Sequence, residues 1–339
     1  MIKKLIAALA VLALAASNAA AAPASAGAVV IKIGSIAPSR SPWDKALEKV
    51  ARDWEKISNG TVQVKIYPGG IAGSELNMLR NLRLGGLQGV VVTTMGLSKI
   101  EPSVTVLNIP LLFHSTEEFG FVFDKMKPVF EKKIEEKGFK LVLWTLAGWV
   151  NFFTKKPVIY PEDLKKLKIS VTDSDPEIEQ VWKKMGYEVV PGDFKDLMVQ
   201  LQSGMVSAAY LPALLAGSGQ YFAVAPHMLS MTLAPLVGGL ILSDKAWASI
   251  PADLHQPFIA ALADASRGLL EETQGLEADA VKMMKENGLI VHDVPPGALA
   301  LWRQSAADGV KDLIGPRFSK EMYDQIVGYI QEFRKARGQ

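Results

Sequence analysis

Four histidines, His114, His227, His255 and His292, are the side chains best suited to hold a metal or to move a proton near neutral pH. They stand alone in the sequence. No HxH or HxxxH pair sets two imidazoles on one face of a strand or helix, so they read as structural or surface residues. There is no Gly-x-Ser-x-Gly elbow, and the absence of Cys excludes a thiol nucleophile. Glu75 and Glu101 are carboxylates without the partner spacing that acid–base chemistry requires. The Gly69-Gly70 to Gly73 loop precedes a helix and could offer amides to an anion. It lacks the dinucleotide spacing and the P-loop lysine, which makes a tight turn the better reading. Arg40 lies in another loop, where a solvent-facing guanidinium is a stronger reading than a ligand charge. With no nucleophile–base constellation, an enzyme is the weakest function class.

The elements that would position such a site alternate between strand and helix. Val29 to Gly34 is short, β-branched and ended by Gly, as a strand should be. Ser41 then serves as N-cap with Pro42 at the first helical position, and Ala46, Leu47, Val50, Ala51, Trp54 and Ile57 recur on one helical face. Further strands are predicted at 61–67, 89–94, within 104–113, and at 139–146, 168–171, 188–190, 208–211 and 289–292. Helices are predicted at 76–84, 175–185, 194–203, 251–287, 297–313 and 319–337. This alternation predicts an α/β fold with a largely parallel sheet, whose ligands sit at the carboxyl ends of strands.

At 339 residues the chain has room for two such domains. Its first segment reads as a secretory signal peptide over residues 1–22: Lys3 and Lys4, an apolar run from Leu5 to Ala16, then a small-residue cleavage zone with the cut after Ala19, Ala21 or Ala22. The apolar run is too short for a stable membrane span. Export without Cys implies a periplasmic protein with neither a lipid-anchoring cysteine nor disulfides. Of 37 basic residues, two belong to this segment, which leaves 35 against 35 acidic residues. A neutral surface argues against nucleic acid or an anionic membrane as partner. No cofactor or metal is expected.

Seven blocks in order resemble the solute-binding proteins of TRAP (tripartite ATP-independent periplasmic) transporters, over about Ile31 to Ala265. They are Ile33-Gly34 through Trp43, Tyr67-Pro68-Gly69-Gly70 through Glu75, Leu82 to Leu87, Pro110 to Phe113, Pro161 to Val171, Phe194 to Gly204, and Trp247 to Asp253. The resemblance implies a two-lobed periplasmic binding fold, with a ligand cleft between lobes and a long C-terminal helical segment. Lobe one is expected at 29–149 plus 238–278 and lobe two at 150–237 plus 279–339. It also implies non-catalytic solute capture by lobe closure and delivery to TRAP permease subunits. An alternative within the same scaffold is a protein serving a sensor or a periplasmic helical-repeat partner.

Three positions depart from the family's ligand contacts. The family's "GxRxxT" arginine has no counterpart in Gly148-Trp149-Val150-Asn151-Phe152-Phe153-Thr154. The "KIRV" arginine that grips a substrate carboxylate is replaced by Ser170, and the "QENP" asparagine by Leu211. The resemblance therefore implies a cleft lined by Trp43, Met95, Trp149, Tyr210, Leu211 and Leu236, with Ser74, Glu75, Thr94, Asn151 and Ser170 as its polar groups. Trp144, Phe152 and Phe153 also stand near the cleft, and for Trp144, Met95 and Leu236 a place in the core is an equal reading. Such a cleft suits a hydrophobic or amphipathic small molecule rather than a bare carboxylate.

Overall fold

The computed structural model describes residues 28–172 and 175–338. The expected signal peptide lies outside them. Among the described residues no helix is long and apolar enough to cross a membrane.

Ten strands form one mixed sheet: β1 (Val29–Ser35), β2 (Val62–Tyr67), β3 (Gly89–Thr93), β4 (Phe139–Thr154), β5 (Lys168–Thr172), β6 (Glu188–Gly192), β7 (Ala208–Pro212), β8 (His227–Leu229), β9 (Pro235–Ser243) and β10 (Ile290–His292). The order is β2-β1-β3-β9-β4-β7-β5-β6, with β8 joining β4 to β10. The flanks are parallel, as predicted, but β9 runs antiparallel to both β3 and β4, and β4 runs antiparallel to β7 and β8. The largely parallel sheet is thus corrected to a mixed one. β9 was not anticipated. Its central Gly238 and Gly239 make it a poor strand by composition, yet a Cβ there would meet Val92 O at 2.7 Å and Leu143 O at 2.8 Å, so only glycine admits the close neighbours. The strand expected within 104–113 is a 3-10 helix, Pro102–Asn108. Pro102 starts it and the Glu101 carboxylate caps it by accepting from Ser103 N, while burial on all sides mimics a buried strand.

The 16-residue β4 joins two half-sheets. Its first part pairs with β9 as far as Trp149↔Pro235, and from Val150↔Pro212 onward it pairs with β7. With lobes proposed as 29–149 plus 238–278 and 150–237 plus 279–339, this change of partner falls at the 149/150 boundary. The terminal helix Lys320–Ala336, which lies in the second range, buries Ile326, Ile330 and Phe333 near Thr116–Glu135 of the first range. The 35-residue helix Ala252–Glu286 contacts both the first helix, Pro42–Ile57, and Ala213–Ser218, so it bridges the halves. Ser41 caps Pro42–Ile57 as predicted, accepting from Asp44 N at 3.3 Å. That helix buries Leu47, Val50 and Trp54; Val50 and Trp54 share a core with Phe258, and the Trp54 and Phe258 rings stack at 4.3 Å.

Candidate ligand cleft

A cavity of about 730 Å³ opens at the carboxyl ends of β1, β3, β5 and β7. One side is walled by Ile36–Ser39, Trp43, the Pro68–Gly70 turn, Ser74, Glu75, Val91–Thr93 and Met95. Ser170–Thr172, Gly192–Lys195, Ala209–Pro212, Leu215 and Tyr221 wall the other, and Ala265, Ser266 and Leu269 of the bridging helix reach in between. A crevice of this size at strand ends is the usual ligand site of α/β sheets.

Of the residues expected in the cleft, Trp43, Ser74, Glu75, Met95, Ser170, Tyr210, Leu211 and Leu236 line the cavity. Thr94, Trp149 and Asn151 are engaged elsewhere. Thr94 is buried and its hydroxyl donates to Val237 O, tying β9 to the turn after β3. Trp149 donates its indole N–H to Thr116 Oγ1 at 2.9 Å and packs on the first half's core. Asn151 donates to Leu229 O and Met231 O, holding the chain beyond β8. Trp144, Phe152 and Phe153 are core residues, at 7%, 1% and 0% exposure.

The cause lies in β4. Leu143, Thr145 and Ala147 face the cavity at odd positions, but the next strand residue to face it is Val150. The register shift between Leu146 and Trp149 adds a residue, and Gly148 at φ +120° carries it. A bulge reverses which alternate residues face a given side. Trp149 and Asn151 are thereby turned away, and Val150 takes the cleft. Sequence reasoning also missed Asp193, Phe194, Lys195 and Tyr221. Phe194 opens one of the motif blocks and was read as framework.

The cavity is largely apolar, with a few polar groups. Ser74 caps the helix Glu75–Leu84, accepting from Asn77 N at 3.4 Å. Glu75 is half-buried, but its carboxyl is enclosed: Oε1 accepts from Thr93 N, Oε2 accepts from Thr93 Oγ1 at 3.2 Å, and the Gly96 amide contributes. Burial pushes the Glu75 carboxyl above the usual range, the Thr93 bonds oppose this, and Asp193 across the cleft adds to it. Asp193 has Lys195 Nζ 3.6 Å away. Burial pushes the Tyr210 phenol up to about 12. Ser170 Oγ lies 3.4 Å from Gln200 Oε1. The Trp43 indole N–H is buried without a partner. Among the described residues no arginine lines the cavity. Arg40 sits at its mouth, in a smaller depression with Phe194 and Tyr221, its own N–H donating to Asp44.

Among the described residues no group of three or more His, Cys, Asp or Glu could hold a metal ion. His227 and His292 come together nonetheless, Nδ1 to Nε2 at 2.9 Å, across the β8–β10 pair. Burial, and then the neighbouring His292, holds His227 below its ordinary range.

The sequence model of the bacterial extracellular solute-binding proteins, family 7, matches residues 33–314. The chain belongs to this family. A C4-dicarboxylate-binding periplasmic protein of Rhodobacter capsulatus is 25% identical over 301 residues, covering 85% of this chain and 87% of its own length. A solute-binding protein of Roseobacter denitrificans is 24% identical over 262 residues, covering 75% and 79%. Among solved structures, a TRAP periplasmic solute-binding protein from Shewanella oneidensis with bound succinate superposes with a TM-score of 0.83 at 18% identity, covering 90% of this chain and 100% of that one. One from Desulfovibrio salexigens with bound orotic acid gives 0.81 at 21% identity, covering 91% and 99%. This family 7 protein therefore has the two-lobed TRAP binding-protein fold that its motif blocks implied. Proteins of the family are periplasmic substrate-binding components of transporters, not enzymes.

Proposed function

We propose that this family 7 protein captures a solute that is more apolar than the family's organic acids, closing its lobes on it and delivering it to TRAP permease subunits. The observation that carries the reading is the absence of any arginine among the described residues of the cavity wall, where Ser170 and Leu211 stand at two of the positions that grip acids by resemblance. A carboxylate here would give up its hydration without gaining a charged fork, at a cost of several kcal/mol on the order of a buried unpaired polar group. It would also share the cavity with Glu75 and Asp193. Succinate, bound by the Shewanella protein, is a poor candidate for this cleft on those grounds. Closure requires the ligand to bind the closed form more tightly, which contacts from both halves to one apolar body provide.

Native mass spectrometry of the protein purified from its own host tests this reading. Recovery of a neutral or amphipathic molecule is expected, and recovery of a small dicarboxylate or sugar acid would overturn it. A gain-of-function variant checks the position itself. Ser170→Arg should raise succinate affinity by about tenfold to a hundredfold, the worth of one charge-assisted contact. Calorimetric titration showing no gain would remove Ser170 from the ligand wall.

A further inference from the structure

Among the described residues that line the cavity, Glu75 is the acidic group without a cation near it. Asp193, the other, has Lys195 at 3.6 Å, whereas none of the ion pairs among the described residues includes Glu75. Its carboxyl is not idle, since Thr93 and Gly96 hold it at the start of the short helix Thr94–Leu97. Those bonds leave acceptor capacity, because a carboxylate has about four lone-pair sites. Gly96 makes the room, as a Cβ there would lie 3.2 Å from the Glu75 carboxyl carbon. The same cavity carries four aromatic side chains, Trp43, Phe194, Tyr210 and Tyr221. Ring faces and a partly desolvated carboxylate are the two features that attract an ammonium group, and an arginine-free wall leaves that charge unopposed except by Lys195.

We infer that the ligand of this cleft is an amphipathic amine, its ammonium group paired with Glu75 and its hydrocarbon body against the apolar wall. The inference rests on the apolar-cleft reading and narrows it to one sign of charge. Glu75 becomes the residue that sets specificity, where family members with arginines select acids by resemblance. Asp193 favours the same charge from the opposite side of the cleft. Among the described residues, the remaining titratable groups of the wall are Lys195, held by Asp193, and the two phenols.

Three homologous series separate the outcomes: n-alkylamines, n-alkanols and n-alkanoates, from butyl to decyl, measured by thermal shift and calorimetry on the mature protein. The best amine should bind about tenfold more tightly than the alcohol of equal length, one charge-assisted contact's worth. Glu75→Gln keeps an acceptor for Thr93 N and should erase that advantage while leaving alcohol binding within about twofold. In the unaltered protein, where folding of a variant is not at issue, amine affinity should fall on acidification as Glu75 takes up its proton. The ligand needs the ionised carboxylate, and burial makes that form give way at a higher pH than an ordinary glutamate. Alcohol affinity should not follow this trend. Equal binding of amines and alcohols overturns the inference and leaves the apolar cleft standing. Preference for alkanoates, or no binding in any series, overturns both.

Discussion

Gly148→Ala is expected to lower the melting temperature by about 3–9 °C, the equivalent of about 2–6 kcal/mol in a chain of this size. Two costs combine. Gly148 has φ +120°, a conformation that L side chains rarely adopt, at about 1–3 kcal/mol. An added Cβ would also lie 2.2 Å from Glu277 Oε1 and 3.1 Å from Pro212 Cβ, and overpacking of that kind costs about 1–3 kcal/mol more. Glu277 has little freedom to yield. It belongs to the bridging helix, its Oε1 is buried without a hydrogen-bond partner, and the Trp149 backbone N–H holds the carboxyl in place. Gly60→Ala supplies the control, since Gly60 is also left-handed at φ +79° but has nothing within 4 Å of its added Cβ. It should cost only the backbone share, about 1 kcal/mol. Calorimetry on both variants checks the difference, and equal losses would show that the Glu277 contact relaxes at no cost. Because β4 changes partner beside Gly148, the same substitution should also alter the angle between the halves, which small-angle scattering reads directly.

That glycine also explains which parts of the site were legible. Ser170, Tyr210 and Leu211 were found because the resemblance set them at the family's ligand elements, on short strands whose pairing runs without a bulge. Trp149 and Asn151 were misplaced because the resemblance set the 148–154 stretch at a family ligand contact, and nothing in Gly148-Trp149 announces the bulge that turns them away. A glycine there reads equally well as a strand end, a bulge or an ordinary member of a strand. The antiparallel centre was hidden for a related reason. β9 depends on two glycines whose value lies in what their neighbours' carbonyls require, and that is tertiary information. Outer elements with local signals, such as Ser41-Pro42 before the first helix, were legible to within a residue or two. The charge character of the cleft was half visible. The missing arginines and Glu75 as a polar group of the cleft showed in the sequence, but the contrast between Asp193, which has Lys195, and Glu75, in no ion pair among the described residues, showed only in the structure.

Arg317→Met is the second large effect, with an expected loss of about 3–5 kcal/mol, the cost of stranding one partner of a buried ion pair. Arg317 is 4% exposed at its side chain and pairs with Asp175, which is fully buried. Glu177 lies 2.8 Å from Arg317 Nε, a contact of charge rather than an aligned hydrogen bond, since that nitrogen has no hydrogen-bond partner. Asp175 also caps the helix Pro176–Lys184, accepting from Ile178 N at 3.4 Å. Without the guanidinium, the cation left to Asp175 among the described residues is Lys99, with Nζ at 3.7 Å, a distance that contributes weakly. The cluster joins three separate stretches of chain: Lys99 before the 3-10 helix, Asp175 after β5, and Arg317 between the last two helices. Its loss should therefore loosen all three together, and hydrogen exchange should show Ile178 and the 313–318 segment opening in one step. Asp175→Asn added to Arg317→Met removes the stranded charge and keeps a capping oxygen, so it should recover more than half of the loss. A double variant as unstable as the single one would mean that Arg317 acts through its packing, with charge compensation secondary.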